Sequence, residues 1–99
     1  MTALLSRLLR HRFEVKHLKI TVYTRRDCCC CHKAIDLLKG YQRRYRFSIE
    51  EVDIDADLEL VDRYGTSVPV VAIDGKVRFR GVVNPMLLER ILIAESRGR

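Results

Sequence analysis

Cys28, Cys29, Cys30 and Cys31 stand side by side in this chain. A run of thiols can exchange disulfides, ligate a metal ion or take up a haem. Cys28 and Cys31 are two residues apart, and on one helical turn that spacing lets two sulfurs meet as a disulfide or part as a dithiol. Adjacent cysteines form strained disulfides, so 28–31 is the pair that geometry favours. Four adjacent cysteines cannot all be buried on one helical turn, which argues against a purely structural pair. Sulfur exchange needs a thiolate, and a free thiol with a pKa of about 8.5 is mostly protonated at neutral pH. A helix N-terminus offers free backbone N–H groups and a partial positive charge, both of which favour a thiolate. Arg25, Arg26 and a hydrogen bond from the Cys31 thiol would act on Cys28 in the same sense, and Asp27 against it. The expectation is a lowered Cys28 pKa.

The flanking sequence supplies that setting. Leu18-Lys19-Ile20-Thr21-Val22-Tyr23-Thr24 alternates as a half-buried strand, and Ala34, Leu37, Leu38 and Tyr41 recur at helical spacing. The cysteines therefore fall where a strand gives way to the first turn of a helix. Cys-x-x-Cys beside a βαβ pattern in a cytosolic protein reads as a redox motif.

The 99 residues make one domain with a small core, and the apolar share of 47% argues against disorder. No segment reaches the ~18 unbroken apolar residues of a membrane span. The first ten residues lack the apolar stretch of a secretory leader. A cytoplasmic location is expected, where a disulfide is transient and catalytic. The net charge of +6 reads as a basic surface that would steer an acidic partner or an anionic thiol. Basic residues are not interleaved with aromatics, so no nucleic-acid partner is expected.

Residues 1–17 read as an N-terminal extension. Leu4, Leu5, Leu8 and Leu9 form one apolar stripe, and Arg7, Arg10, His11 and Arg12 make the remainder basic. The domain proper is expected over residues 18–99. Strands are expected at 18–24 and 47–54, with a helix at 29–43 between them. Asp55 would cap a short second helix carrying Leu58, Val61 and Tyr64 and ending at Gly65. A β-branched run at 68–73 leads through Asp74-Gly75, a two-residue hairpin signal, into the alternating strand 76–80 with its basic face outward. Asn84 and Pro85 supply a cap and first position for a last helix with Leu88, Ile91 and Leu92 on one face. The order β-α-β-α-β-β-α gives an α/β domain. Its four-stranded mixed sheet carries helices on both faces.

This order resembles the minimal thioredoxin fold, and the motifs resemble its glutaredoxin-like branch. Tyr23-Thr24-Arg25 before the cysteines is similar to the family's strand end and Cys-x-x-Cys entry. Glu50-Glu51-Val52-Asp53-Ile54-Asp55 is similar to its second strand and acidic turn. Ser67-Val68-Pro69 resembles its cis-proline segment, and Gly81 with Asn84 resembles the glycine and polar cap before its last helix. The resemblance covers about residues 18–95. It implies a thiol–disulfide oxidoreductase in which Cys28 is the nucleophile and Cys31 resolves. Val68 would offer its backbone to an extended substrate, and Pro69 would supply the cis bond. Arg25, Gly81 and Asn84 would complete the substrate site. No organic cofactor is implied, glutathione would serve as a co-substrate, and the partners would be protein or glutathione disulfides and a reductase system. A monomer is expected.

The chain departs from the family pattern at informative places. Cys29-Cys30 replaces the usual Pro-Tyr. Arg80 replaces the first glycine of a Gly-Gly pair, leaving Gly81-Val82-Val83-Asn84, so exchange with a protein thiol stands beside exchange with glutathione. Two other chemistries remain open on the residues. Cys28-x-x-Cys31-His32 matches a c-type haem attachment string. Cys28, Cys29, Cys30 and Cys31 could also ligate zinc or an iron–sulfur cluster, most readily when two chains each give two thiolates. In the exchange reading, Cys29 and Cys30 are passengers.

Overall fold

A computed structural model describes residues 14–97. Strand β1 (Lys19–Thr24) feeds the long helix α1 (Cys29–Tyr45) and returns as β2 (Ser48–Asp53). A 3₁₀ turn (Ile54–Ala56) and a short helix α2 (Leu58–Tyr64) follow, and then come β3 (Val70–Ile73), β4 (Lys76–Arg80) and α3 (Pro85–Arg97). The sheet order is β2-β1-β3-β4. β1 and β2 are parallel, because α1 carries the chain from one to the other, and Ile20 pairs with Ile49. The β1–β3 and β3–β4 pairs are antiparallel. This is the expected element order and the expected mixed sheet.

Alternation in β1 divides the core between two faces. Ile20 and Val22 look toward α1 and α3, where they pack with Leu38, Phe47, Val71, Leu88 and Leu92. On the other face Tyr23 and Val70 meet Ile54, Tyr64 and Leu60 from the 3₁₀ turn and α2. Helices therefore cover both faces. Among the described residues no helix is long and apolar enough to cross a membrane.

Local rules account for the ends. Asp74 (φ 50°) and Gly75 (φ 85°) turn the β3–β4 hairpin with two positive φ angles, as a two-residue loop requires. Asn84 Oδ1 accepts from the N–H groups of Met86 (3.0 Å) and Leu87 (3.2 Å), capping α3 behind Pro85. α1 runs on to Tyr45, two residues beyond the expected end, and stops at left-handed Arg46 (φ 66°), whose N–H donates to the Gln42 carbonyl.

Two expectations are corrected. The cap of α2 is Asp57, whose side chain accepts from Glu59 N–H at 2.9 Å, and not Asp55. Asp53 caps the intervening 3₁₀ turn through Asp55 N–H. With aspartates at 53, 55 and 57, each two residues from the next, the sequence offers three caps for two turns. The edge strand β4 also does not alternate strictly. A bulge opposite Val71 and Ala72 pairs Phe79 with Val71 and Val77 with Ala72. Phe79 thus joins the larger core and Val77 the smaller one, although two residues apart they would otherwise share a face. Ahead of β1, Val15 packs with the core. It is fully buried, and its N–H donates to the Tyr45 carbonyl. The apolar stripe at Leu4–Leu9 lies outside the described residues.

Candidate active site

The turn between β1 and α1 carries the cysteines. Asp27 takes a left-handed conformation (φ 60°), which lets the chain reverse within two residues of the strand. Cys28 follows in extended backbone as the N-cap of α1, the role usually held by Ser, Thr, Asp or Asn. Its Sγ accepts a hydrogen bond from Cys31 N–H at 3.1 Å. A thiolate at this position would be stabilised by the backbone N–H and the positive end of the helix.

Cys28 and Cys31 are joined as a disulfide, with Cα atoms 5.2 Å apart. The two sulfurs are unequal in access. Cys31 is fully buried under the first turn, whereas Cys28 is half-buried at the rim. Cys29 and Cys30 are free and exposed. His32 is exposed one position beyond the pair. Among the described residues no three His, Cys, Asp or Glu side chains converge as a metal site.

The sheet brings the other candidates to the same end. Tyr23, next to the end of β1, pairs with Val70, the first residue of β3. Val68 and Pro69 therefore lie beside the turn that leads to Cys28. The Val68–Pro69 bond is cis, Pro69 is buried and Val68 is half-buried. Val70 also pairs with Arg80, which carries Gly81 to the same edge. Gly81 adopts φ 82°, and its N–H donates to the Pro69 carbonyl at 2.8 Å.

Two expected contacts are engaged inside the fold. Arg25 donates from Nε (3.1 Å) and Nη2 (2.7 Å) to Asp55 Oδ1 and from Nη1 to the Gly65 carbonyl (3.2 Å). Its hydrogen bond and attraction to Asp55 raise its pKa further. Asn84 Oδ1 is occupied as the cap of α3. Arg25 thus ties the end of β1 to the 3₁₀ turn and to the end of α2.

Sequence reasoning passed over one part of the site. Cys30, Lys33, Ala34 and Leu37 of α1 face Gly81, Val82 and Val83 across a groove of about 410 Å³. Val82 in its lining is 75% exposed, and Met86, at the start of α3, is 73% exposed. The available signal was the apolar Val82-Val83 pair, set between a glycine and a helix cap where polar loop residues are usual.

A half-buried sulfur at a helix N-terminus, bonded to a buried sulfur one turn on, is an arrangement for two-electron thiol chemistry. A family model described as Glutaredoxin-like domain (DUF836) matches residues 19–94. The chain belongs to this glutaredoxin-like family. Its domain is similar to the solution structure of a protein from Nitrosomonas europaea, with TM-score 0.68 and 25% identity over 75% of this chain and 89% of that one. It is also similar to the X-ray structure of a protein from X. campestris, with TM-score 0.63 and 29% identity over 76% and 96%. The oxidised thioredoxin of Plasmodium falciparum, at TM-score 0.57 and 16% identity over 91% of each chain, shares the fold. A search of curated proteins finds no match. The glutaredoxin-like domain therefore has the thioredoxin fold, and with its Cys-x-x-Cys cluster it supports a thiol redox function.

Proposed function

We propose that this glutaredoxin-like protein is a thiol–disulfide oxidoreductase that works through the Cys28–Cys31 dithiol. The observation that carries the reading is the unequal access of two bonded sulfurs, with Cys28 at the rim on a backbone N–H and Cys31 sealed beneath it.

The Cys28 thiolate attacks one sulfur of a substrate disulfide. A Cys28–substrate disulfide forms, the substrate S–S bond breaks, and the departing thiolate takes up a proton. Cys31 then loses its proton and attacks Cys28 Sγ. The internal disulfide closes, and the second substrate thiolate leaves and is protonated. Two electrons and two protons have passed from the dithiol to the substrate. An external dithiol or glutathione, kept reduced by a reductase system, must return them. Burial of Cys31 suits the second step, since a sealed thiol meets only the sulfur beside it.

The substrate backbone would lie along Val68, ahead of buried Pro69. A protein disulfide suits the exposed apolar Val82 of the groove beside Cys30. Glutathione enters as a co-substrate thiol, without Arg25 or Asn84 as ready partners, because both are engaged within the fold. The exchange would take place in the reducing cytoplasm, with the protein a monomer.

The test is peptide mapping of alkylated protein equilibrated across glutathione and dithiothreitol buffers. Two alkylation sites lost together, at Cys28 and Cys31 and at one defined poise, support the reading. Four thiols that stay reduced at every poise, or that are shielded only by a bound metal, would sink it.

A further inference from the structure

The end of the domain remote from the cysteines carries a feature that disulfide exchange does not use. α1 has 17 residues, so its ends lie about 25 Å apart. At its carboxyl end Lys16, Gln42, Arg43, Arg46 and Phe47 line an open cleft of about 440 Å³. Three of these residues are cations. Lys16 Nζ lies 3.3 Å from Glu14 Oε2. Among the described residues Arg43 and Arg46 form no ion pair.

Arg46 is the informative member. It holds the left-handed position that ends α1 (φ 66°, ψ 22°), where glycine is the unstrained choice. Arg43 and Arg44 in the last turn already complement the negative carbonyl end of the helix. A third cation, at a backbone position that disfavours any side chain, needs another reason.

The chain enters the domain at this same end, through the hydrogen bond from Val15 N–H to the Tyr45 carbonyl. The segment that joins here combines Leu4, Leu5, Leu8 and Leu9 with Arg7, Arg10 and Arg12 in its sequence. Clustered cations attract lipid phosphates, and leucines in the sequence that leads into them would attract acyl chains; together these are the two attractions of an interfacial segment. Single-stranded nucleic acid would want exposed rings for stacking, and the aromatic residue of the cleft, Phe47, is only 2% exposed.

We propose that this end of the domain docks on the surface of a bilayer rich in anionic phospholipid, with the cysteine end turned toward solution. The test is flotation of the full chain with vesicles of phosphatidylcholine alone and of phosphatidylcholine mixed with phosphatidylglycerol. Binding is expected to the mixed vesicles only, and to weaken as salt is added. Arg43→Gln combined with Arg46→Gly should lower partitioning about 25-fold, at about fivefold per charge. Arg46→Gly alone should lose about fivefold while melting no lower than the parent, because glycine relieves the left-handed backbone. A purely structural arginine would not give that combination. Reduction of a small disulfide should be unchanged in both variants. No binding to the mixed vesicles, equal binding to both kinds, undiminished binding by the cleft variants, or tighter binding to an RNA oligonucleotide than to vesicles would each overturn the proposal.

Discussion

Arg25 and Asp55, thirty residues apart, meet through two hydrogen bonds to a single carboxylate oxygen, at 2.7 and 3.1 Å. A third hydrogen bond reaches the Gly65 carbonyl. One guanidinium thus braces three segments on the smaller-core side of the cysteine turn. Arg25 is therefore expected to position the turn rather than hold substrate. Arg25→Ala and Asp55→Ala should lower the melting temperature by similar amounts, and the double variant should fall little further, as a coupled pair requires. The KM for a disulfide substrate should stay near the parent value in all three. A KM that rises for Arg25→Ala alone would return Arg25 to the substrate site.

The Cys28 sulfur sits on Cys31 N–H, so its thiolate is expected to form below the ordinary thiol value of about 8.5. The rate of iodoacetamide alkylation of the reduced protein, followed against pH, reads this directly. Because Arg25 is held by Asp55, Arg25→Ala should leave the midpoint nearly unchanged. Cys31→Ser should accumulate a mixed disulfide on Cys28, visible as added mass, and Cys28→Ser should form none. A midpoint above about 8.5, or a trapped adduct on Cys29 or Cys30 instead, would contradict the assignment of Cys28.

Much of this was legible in the sequence where one residue's chemistry decides a local structure. Asp74-Gly75 has the turn residues a tight hairpin demands, Asn84-Pro85 supplies a cap and first position for a helix, and the cysteine run follows an alternating strand after three intervening residues. The illegible parts depend on distance or on competition between equals. Nothing local joins Arg25 to Asp55 or Gly65. Asp53, Asp55 and Asp57 compete to cap two turns, and only packing chooses between them. Val15 sits within a basic stretch, yet a hydrogen bond to Tyr45 and the large core claim it. The bulge at Arg78 is invisible in a pattern that alternates correctly.

Two glycines separate helix propensity from backbone strain. Gly40 lies inside α1, and among the described residues no atom comes within 4 Å of where a Cβ would sit. Gly40→Ala should therefore stabilise the domain by about 0.5–1 kcal/mol in denaturant melts. Gly81 has equal space but φ +82°. Gly81→Ala should cost on the order of 1 kcal/mol. Because Gly81 N–H bonds the Pro69 carbonyl and its loop faces Cys30 across the groove, this variant should also slow disulfide exchange. Gly40→Ala should not. Equal effects on stability from the two substitutions would rule out this account of the loop.

Tyr45 is fully buried, and its hydroxyl makes no hydrogen bond to a described group. Burial pushes its pKa above the usual tyrosine value, Glu89 and Tyr41 add to the rise, and Arg44 opposes it. Tyr41, whose hydroxyl donates to Glu89 Oε2 at 3.4 Å, is raised as well, first by burial and then by Glu89. In both cases the folded chain holds a proton that the unfolded chain releases at about pH 10. The stability tied to these protons is complete below that pH and drains away as pH rises through it toward the folded values. The domain should therefore lose stability progressively above about pH 10. Tyr45→Phe removes one of the two titrations and an unsatisfied buried hydroxyl together. It should hold or raise stability at neutral pH by about 1 kcal/mol and flatten the alkaline decline. Thermal melts of parent and variant across this range decide the matter. A variant that is weaker at neutral pH would mean that the hydroxyl has a partner, and an unchanged alkaline decline would place the titration elsewhere.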